Sequence, residues 1–256
     1  MIRRLLNGLV PMLGWLFLTA AAEPVLVSDV SDRSIEIQAS FHGATELVFG
    51  AILYPGGQIP QGKVDVAIVL RGPSKSIKVR EKQKLGGLIW VNADDTSFRS
   101  APAFYAIATS RPLTKMVDER TADVYELGLN SLQLSPASNM RPEDARRFEA
   151  GLIDLRARNA LYAAHPSTVE ITNDVLYRAT LTIPARVPVG HYTAETFLIR
   201  NGHVIAAATR DVEIHKSGFE RFVAVSAIAF PVAYGIIAIA LSVLLGWGAG
   251  ALFKRI

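Results

Sequence analysis

YTAETFLIRNGHVIAAATRDVEI, residues 192–214, decides the fold class. Two apolar-rich runs, 192–200 and 204–214, flank Asn201-Gly202. Asn-Gly is the preferred two-residue hairpin turn, because both positions require positive φ. The spacing predicts an antiparallel hairpin with Arg200 opposite His203 and His191 opposite Val212.

Strand signals continue outward from this hairpin. Val169-Glu170-Ile171 and residues 176–183 precede it, followed by Pro184, Pro188 and Gly190. Nearer the N-terminus, Ser34-Ile35-Glu36-Ile37-Gln38 alternates polar and apolar residues. Residues 47–53, 64–70, 77–81, 88–91 and 104–109 are further short runs, several stopped by Gly or Pro. Such runs read as buried strands. The expected fold is mainly β: an immunoglobulin-like β-sandwich with a helical insertion at about 140–164. The N-terminal and C-terminal strand sets are each too few to stand alone, which favours one sandwich over two.

The insertion has a helix start at Pro142-Glu143-Asp144, with proline in the first turn and acids at the positive end of the dipole. Phe148, Leu152, Leu155 and Tyr162 form one apolar stripe. Glu143 with Arg147, and Asp154 with Arg158, are expected pairs on the wet side, and Pro166 the expected stop. A shorter helix is expected within 114–127.

The two ends are apolar in different ways. Residues 1–22 carry a basic start, Arg3-Arg4, an apolar stretch, and Ala20-Ala21-Ala22 before Glu23-Pro24. This is the layout of a secretory signal peptide, with Ala20 and Ala22 at −3 and −1 and cleavage before Glu23. The competing reading is an uncleaved anchor, against which Asn7, Gly8, Pro11 and Gly14 interrupt the apolar stretch. Residues 222–253 contain no charged side chain. About 20 apolar residues cross a bilayer, so this run is a transmembrane helix. Lys254-Arg255, in the short tail 254–256, suit the cytoplasmic side. The main domain, 23–217, is then extracytoplasmic. Pro231 is expected to kink the helix. Gly246 and Gly250 give a GxxxG spacing, read either as a face for helix association or as chance, since glycine is common in membrane helices.

Composition narrows the chemistry. There is no cysteine among the 256 residues, which excludes disulfides, a lipid-modified cysteine, haem attachment and thiolate zinc. The net charge of +4 includes Arg3 and Arg4, and no arginine-rich arm accompanies it. Nucleic acid is therefore not an expected partner. The five histidines, His42, His165, His191, His203 and His215, match no metal-ligand spacing. His191 and His203 fall tens of ångströms apart on the hairpin. Asp94-Asp95, among Asn92, Thr96 and Ser97, read as turn residues. No nucleophile elbow or phosphate loop is present, so neither a catalytic residue nor a cofactor is expected. Lys78, Arg80, Lys82 and Lys84 alternate along one strand and share a face. That face either protects a sheet edge or meets an acidic partner or anionic lipid.

Several stretches together resemble a family of alphaproteobacterial transmembrane proteins. They are Val64-Asp65-Val66-Ala67-Ile68-Val69-Leu70-Arg71-Gly72-Pro73, Gly87-Leu88-Ile89-Trp90-Val91-Asn92, residues 102–112, Tyr177-Arg178-Ala179-Thr180-Leu181 and residues 188–195. The resemblance covers most of the mature chain and the C-terminal helix. It implies a single-pass protein of a bacterial inner membrane, facing the periplasm, and a place near sulfite-exporter-like permeases. It brings no catalytic residues. Three functions stay open: a binding or scaffolding module on a polytopic membrane partner or on itself, an enzyme with a site built from loops, and a structural envelope protein. Beyond these, the lipid bilayer is the expected partner.

Overall fold

The computed structural model describes residues 23–37, 43–57, 59, 62–137, 140–163, 165–216 and 218–253. The described strands are β1 (Val25–Val30), β2 (Ser34–Ile37), β3 (Gly43–Leu53), β4 (Asp65–Arg71), β5 (Ser74–Leu85), β6 (Ile89–Pro102), β7 (Tyr105–Thr109), β8 (Ser167–Thr172), β9 (Leu176–Pro184), β10 (Gly190–Arg200) and β11 (His203–Lys216). The helices are α1 (Glu119–Tyr125), α2 (Pro142–Arg158), α3 (Gly218–Ala229) and α4 (Pro231–Phe253).

Nine strands form one curled sheet in the order β1-β3-β9-β8-β7-β4-β10-β11-β2. Neighbours run antiparallel except β7–β8 and β11–β2. The β7–β8 junction has only two residue pairs, Ala108 with Ser167 and Thr109 with Thr168. Across this seam the two halves turn their apolar faces on each other. Ser28 of β1 and Thr196 of β10 bring buried hydroxyls to 3.2 Å. Val48, Ile52, Leu181 and Ile183 of one half join Val66, Ile68, Leu70 and Leu198 of the other in one core. The N-terminal and C-terminal strands interleave, β3 beside β9 and β4 beside β10, so neither set is a sheet of its own.

Burial follows the pleat. In β9, Tyr177, Ala179, Leu181 and Ile183 are buried while the residues between them are wet. β4 and β7 lie mid-sheet and are buried on both faces, as their unbroken apolar runs predict. Residues 47–53 depart from the expected buried run. β3 buries Glu46, Val48 and Ile52 but leaves Phe49 and Leu53 about half exposed. It lies between β1 and β9 with only one face on the core.

The hairpin turns at Asn201-Gly202 with Arg200 opposite His203, as predicted. The pairing of His191 is corrected: it faces Glu213, not Val212. Leu198 pairs with Ala206 and Ile199 with Val204, so Ile205 is an extra residue on β11. One inserted residue shifts every later pair by one.

α2 starts at Pro142, as read, but ends at Arg158 rather than at Pro166. Ala160 adopts φ 56°, a left-handed residue that stops the helix. Phe148 and Leu152 are buried, whereas Leu155 is half exposed and Tyr162 packs beyond the helix. Arg147 pairs with Asp144 rather than Glu143, while Arg158 pairs with Asp154. In the 114–127 region the helix is α1, seven residues long, capped by Asp118 accepting from the Thr121 amide at 2.8 Å.

Glu46 is a buried carboxylate at the end of this sheet. Its Oε1 accepts from the Ser31 hydroxyl and the Asp32 amide, each at 3.1 Å. Burial pushes its pKa above the ordinary 4.5, outweighing those two bonds. A raised carboxyl binds a proton more readily in the folded chain. Its stabilising contribution is thus complete below the unfolded value and is lost as pH rises through the folded one. Replacing Glu46 with Gln removes that titration. Denaturant unfolding of both proteins across mildly acidic to neutral pH should show the wild type losing stability relative to Glu46→Gln as pH rises from about 4.5.

Candidate functional site

The C-terminal segment is built from its lack of charge. Residues 222–253 divide into α3 and α4 at Phe230, so the expected kink is a break between two helices. Pro231 has no amide proton and its ring crowds the preceding turn, which ends α3. The ladder survives around the break through Phe230 N–H to Ser226 at 3.0 Å and Tyr234 N–H to Phe230 at 2.9 Å. Pro231 to Gly250 is a stretch of 20 residues whose most apolar 18-residue window has a mean hydropathy of 2.0, with none of that window buried among the described residues. At 1.5 Å per residue the stretch spans about 30 Å, the thickness of a bilayer's hydrocarbon core.

Gly246 and Gly250 lie on α4, and a methyl group at either would meet nothing within 4 Å. Counting back in fours, Ser242 and Ala238 extend the same row of small side chains. The Ser242 hydroxyl donates to the Ala238 carbonyl at 2.9 Å, so the row presents no unpaired hydroxyl to an apolar surrounding. The GxxxG spacing alone misses Ala238 and Ser242; the four-residue repeat contains them.

The cations Lys78, Arg80, Lys82 and Lys84 lie on β5, which pairs only with β6 as a separate two-stranded ribbon. Both irregularities in the pairing place the extra residue on β6, so β5 alternates without interruption and the four cations share a face. Their surroundings differ. Lys78 reaches the Asp95 carboxylate at 2.5 Å and holds its pKa below the usual carboxylate range. Arg80 stands opposite Asp95 and Lys82 opposite Asn92. The Lys84 ammonium lies 5.2 Å from the centre of the Trp90 ring.

The other face of the ribbon explains how it is held. Ile77, Val79, Phe98 and Ala101 join Leu134, Phe148 and Leu152 in a second small core, which docks the ribbon base on α2. Further out, Arg147 of α2 reaches Glu81 at 3.3 Å and Asp94 at 3.7 Å. Asp94 and Asp95 are therefore strand residues, not turn residues. Lys78 and Arg147, one on each face, supply the counter-charge that lets two acids sit in a wet strand.

Beyond Glu81 the ribbon changes character. Leu85, Leu88, Ile89 and Trp90 are 62–88% exposed around a turn whose Gly86 and Gly87 have φ 59° and 77°. Residues 88–91 thus do not form the buried strand expected of them.

Elsewhere, charged residues tie the fold together. Arg71 pairs with the Glu126 carboxylate, donates to the Tyr125 carbonyl at 2.8 Å and lies 3.3 Å from Glu195. The Tyr105 hydroxyl donates to the Glu126 carbonyl at 2.8 Å and accepts from the Gly128 amide at 2.7 Å, and burial pushes its pKa up. Tyr162 donates to the Pro102 carbonyl at 2.8 Å, and burial pushes its pKa up to about 12. These groups link β4, β7, β10 and α1. Asp65, almost fully buried, takes Arg111 in a two-pronged pair and Ser110 at 3.0 Å. Among the described residues no group of three or more His, Asp or Glu could hold a metal ion. Ala20 and Ala22 lie outside the described residues, as does His42; Glu23 is exposed ahead of β1.

Residues 25–255 match a protein-family profile described as "Putative transmembrane protein (Alph_Pro_TM)". A search of the curated proteins finds no match.

Proposed function

Because the chain belongs to that transmembrane family, we propose that it is a membrane-anchored binding or scaffolding module and that α4 is its contact with a polytopic membrane protein. The observation that carries this reading is the small-residue row Ala238, Ser242, Gly246 and Gly250 on a helix whose apolar stretch is left unburied among the described residues. Small residues four apart let helix backbones approach closely, and lipid tails give helices no other strong reason to associate. On this reading the signal segment 1–22 is removed before Glu23, and residues 23–217 face the periplasm. α4 lies in the bacterial inner membrane, and 254–256 reach the cytoplasm. The curled sheet, closing its halves over one core, supports an immunoglobulin-like sandwich as the architecture of the module.

The test is recovery of partners. Full-length protein is purified in mild detergent from crosslinked native membranes, and co-purifying proteins are identified by mass spectrometry. A specific polytopic protein is expected. Its yield should fall roughly tenfold with Gly246→Leu plus Gly250→Leu, a loss of about 1.4 kcal/mol, because leucine side chains hold the two helix backbones apart. Recovery of crosslinked homodimers alone would replace the partner with a second copy. Recovery of the protein by itself would overturn the reading.

A further inference from the structure

We propose that the distal end of the β5–β6 ribbon is a second membrane contact. It lays Leu85, Leu88, Ile89 and Trp90 into the head-group boundary of the anionic bilayer that holds α4. The inference does not depend on whether α4 has a protein partner.

The ribbon is ordered along its length. At the base its apolar face is spent on α2. In the middle Glu81, Asp94 and Asp95 are met by Arg147 and Lys78. From residue 82 to residue 92 there are two lysines and no carboxylate. At the end stand the exposed apolar side chains. Charge-paired middle, cationic collar and apolar tip follow the order of layers met on entering an anionic bilayer from water.

The tip's chemistry suits that boundary. Tryptophan is enriched at head-group depth, where its ring is apolar and its N–H stays wet. Lys84 sits beside Trp90, and Lys82 is on the same face, so the long stems can reach phosphates while the ring sinks. Leu85 and Ile89 pair on the opposite face, with Leu88 in the turn. Gly86 and Gly87 have nothing within 4 Å of where a side chain would start, so the turn itself adds no bulk ahead of Leu88. An exposed cluster of this kind contributes nothing to the core and marks a contact surface.

Topology favours the bilayer of the anchor. Arg71, at the end of β4, pairs with Thr193, which pairs with Asp211 of β11. Gly72-Pro73 then lead into β5, and β11 runs on to Lys216 and α3. Ribbon and membrane helix therefore leave the same end of the sheet, two strand spacings or about 10 Å apart. The twelve residues of β5 span about 40 Å, and the part beyond Glu81 reaches about 15 Å past the last contact with α2. Tethering by α4 keeps the tip at high local concentration near that surface.

The test uses full-length protein in which Trp15 and Trp247 are replaced by Phe, leaving Trp90 as the reporter. It is reconstituted in vesicles of phosphatidylcholine with or without phosphatidylglycerol, some lipids carrying bromine near the head group. In anionic vesicles Trp90 is expected to emit at shorter wavelength and to be quenched by brominated lipid. Lys82→Glu plus Lys84→Glu should remove both signals, with the β signature in far-ultraviolet circular dichroism unchanged. Trp90 quenched by aqueous iodide but not by brominated lipid would overturn the proposal. So would quenching only when brominated vesicles are added from outside, which would mean an opposing membrane. A photo-crosslinker at position 88 that captures protein rather than lipid in native membranes would overturn it in favour of a protein partner. Leu85→Asn, Leu88→Asn and Ile89→Asn together should weaken the bilayer contact on the order of a hundredfold.

Discussion

Gly50→Ala is expected to lower the unfolding free energy by about 3–5 kcal/mol, a large share of the about 5–15 kcal/mol typical of a domain. Gly50 sits on the inward-facing side of β3, in step with Glu46, Val48 and Ile52. A methyl group there would lie 2.0 Å from the Val27 carbonyl oxygen of β1 and 2.4 Å from the Tyr177 hydroxyl. Neither neighbour is free to yield. The Val27 oxygen belongs to a strand paired along its length with β3. The Tyr177 hydroxyl donates to that same oxygen at 3.0 Å. The substitution therefore combines overpacking with loss of a buried hydrogen bond. Gly151→Ala should act in the opposite direction. It lies in α2 with nothing within 4 Å, and alanine there should add about 0.5–1 kcal/mol. Denaturant unfolding of the full-length variants in detergent, followed by far-ultraviolet circular dichroism, measures both.

Leu152→Ala is expected to cost about 2–5 kcal/mol, and the loss should fall first on one part of the molecule. Leu152 is fully buried, but in the small core of Phe98, Ala101, Leu134 and Phe148, not in the core of the curled sheet. A cavity there loosens the contact between α2 and the ribbon base. Amides of β5 and β6 should exchange with deuterium on the order of a hundredfold faster, while β4 and β10 keep their protection. Equal acceleration everywhere would mean that the two cores unfold as one unit.

The parts of this fold that the sequence makes legible are those where one local signal is enough. Asn201-Gly202 sets the hairpin because few other turns tolerate two positive φ values. The uncharged run ending at Phe253 is long and apolar enough to cross a bilayer. The two-sided burial of β4 is written in its unbroken run of apolar residues. The rest depends on partners distant in the chain. Ile205 has nothing in its composition that marks it as the extra residue; only the pairing with Leu198 and Ile199 does. The alternating cations of β5 are visible, but not that β5 leaves the main sheet. An apolar run such as residues 88–91 looks the same whether a sheet covers it or water does. Asp94 and Asp95 resemble a turn until Lys78 and Arg147 are placed beside them. Among the proposed surfaces, Gly246 and Gly250 were readable from spacing, and the tip of the ribbon was not.

The pairing of β11 bears on mechanics. Its last residues are flanked on one side by β10, Gly190 opposite Ile214, and on the other by β2, Glu213 through Lys216 alongside Ser34 through Ile37. The chain then passes directly into the helices of the membrane segment. Drag between the domain and its anchor therefore enters at the C-terminal end of β11. Its component along the strand shears the rungs on both sides together instead of opening them one after another. The strand that carries the tether is thus in the geometry that resists force best, and its failure under load would follow the rate of unfolding rather than the equilibrium stability.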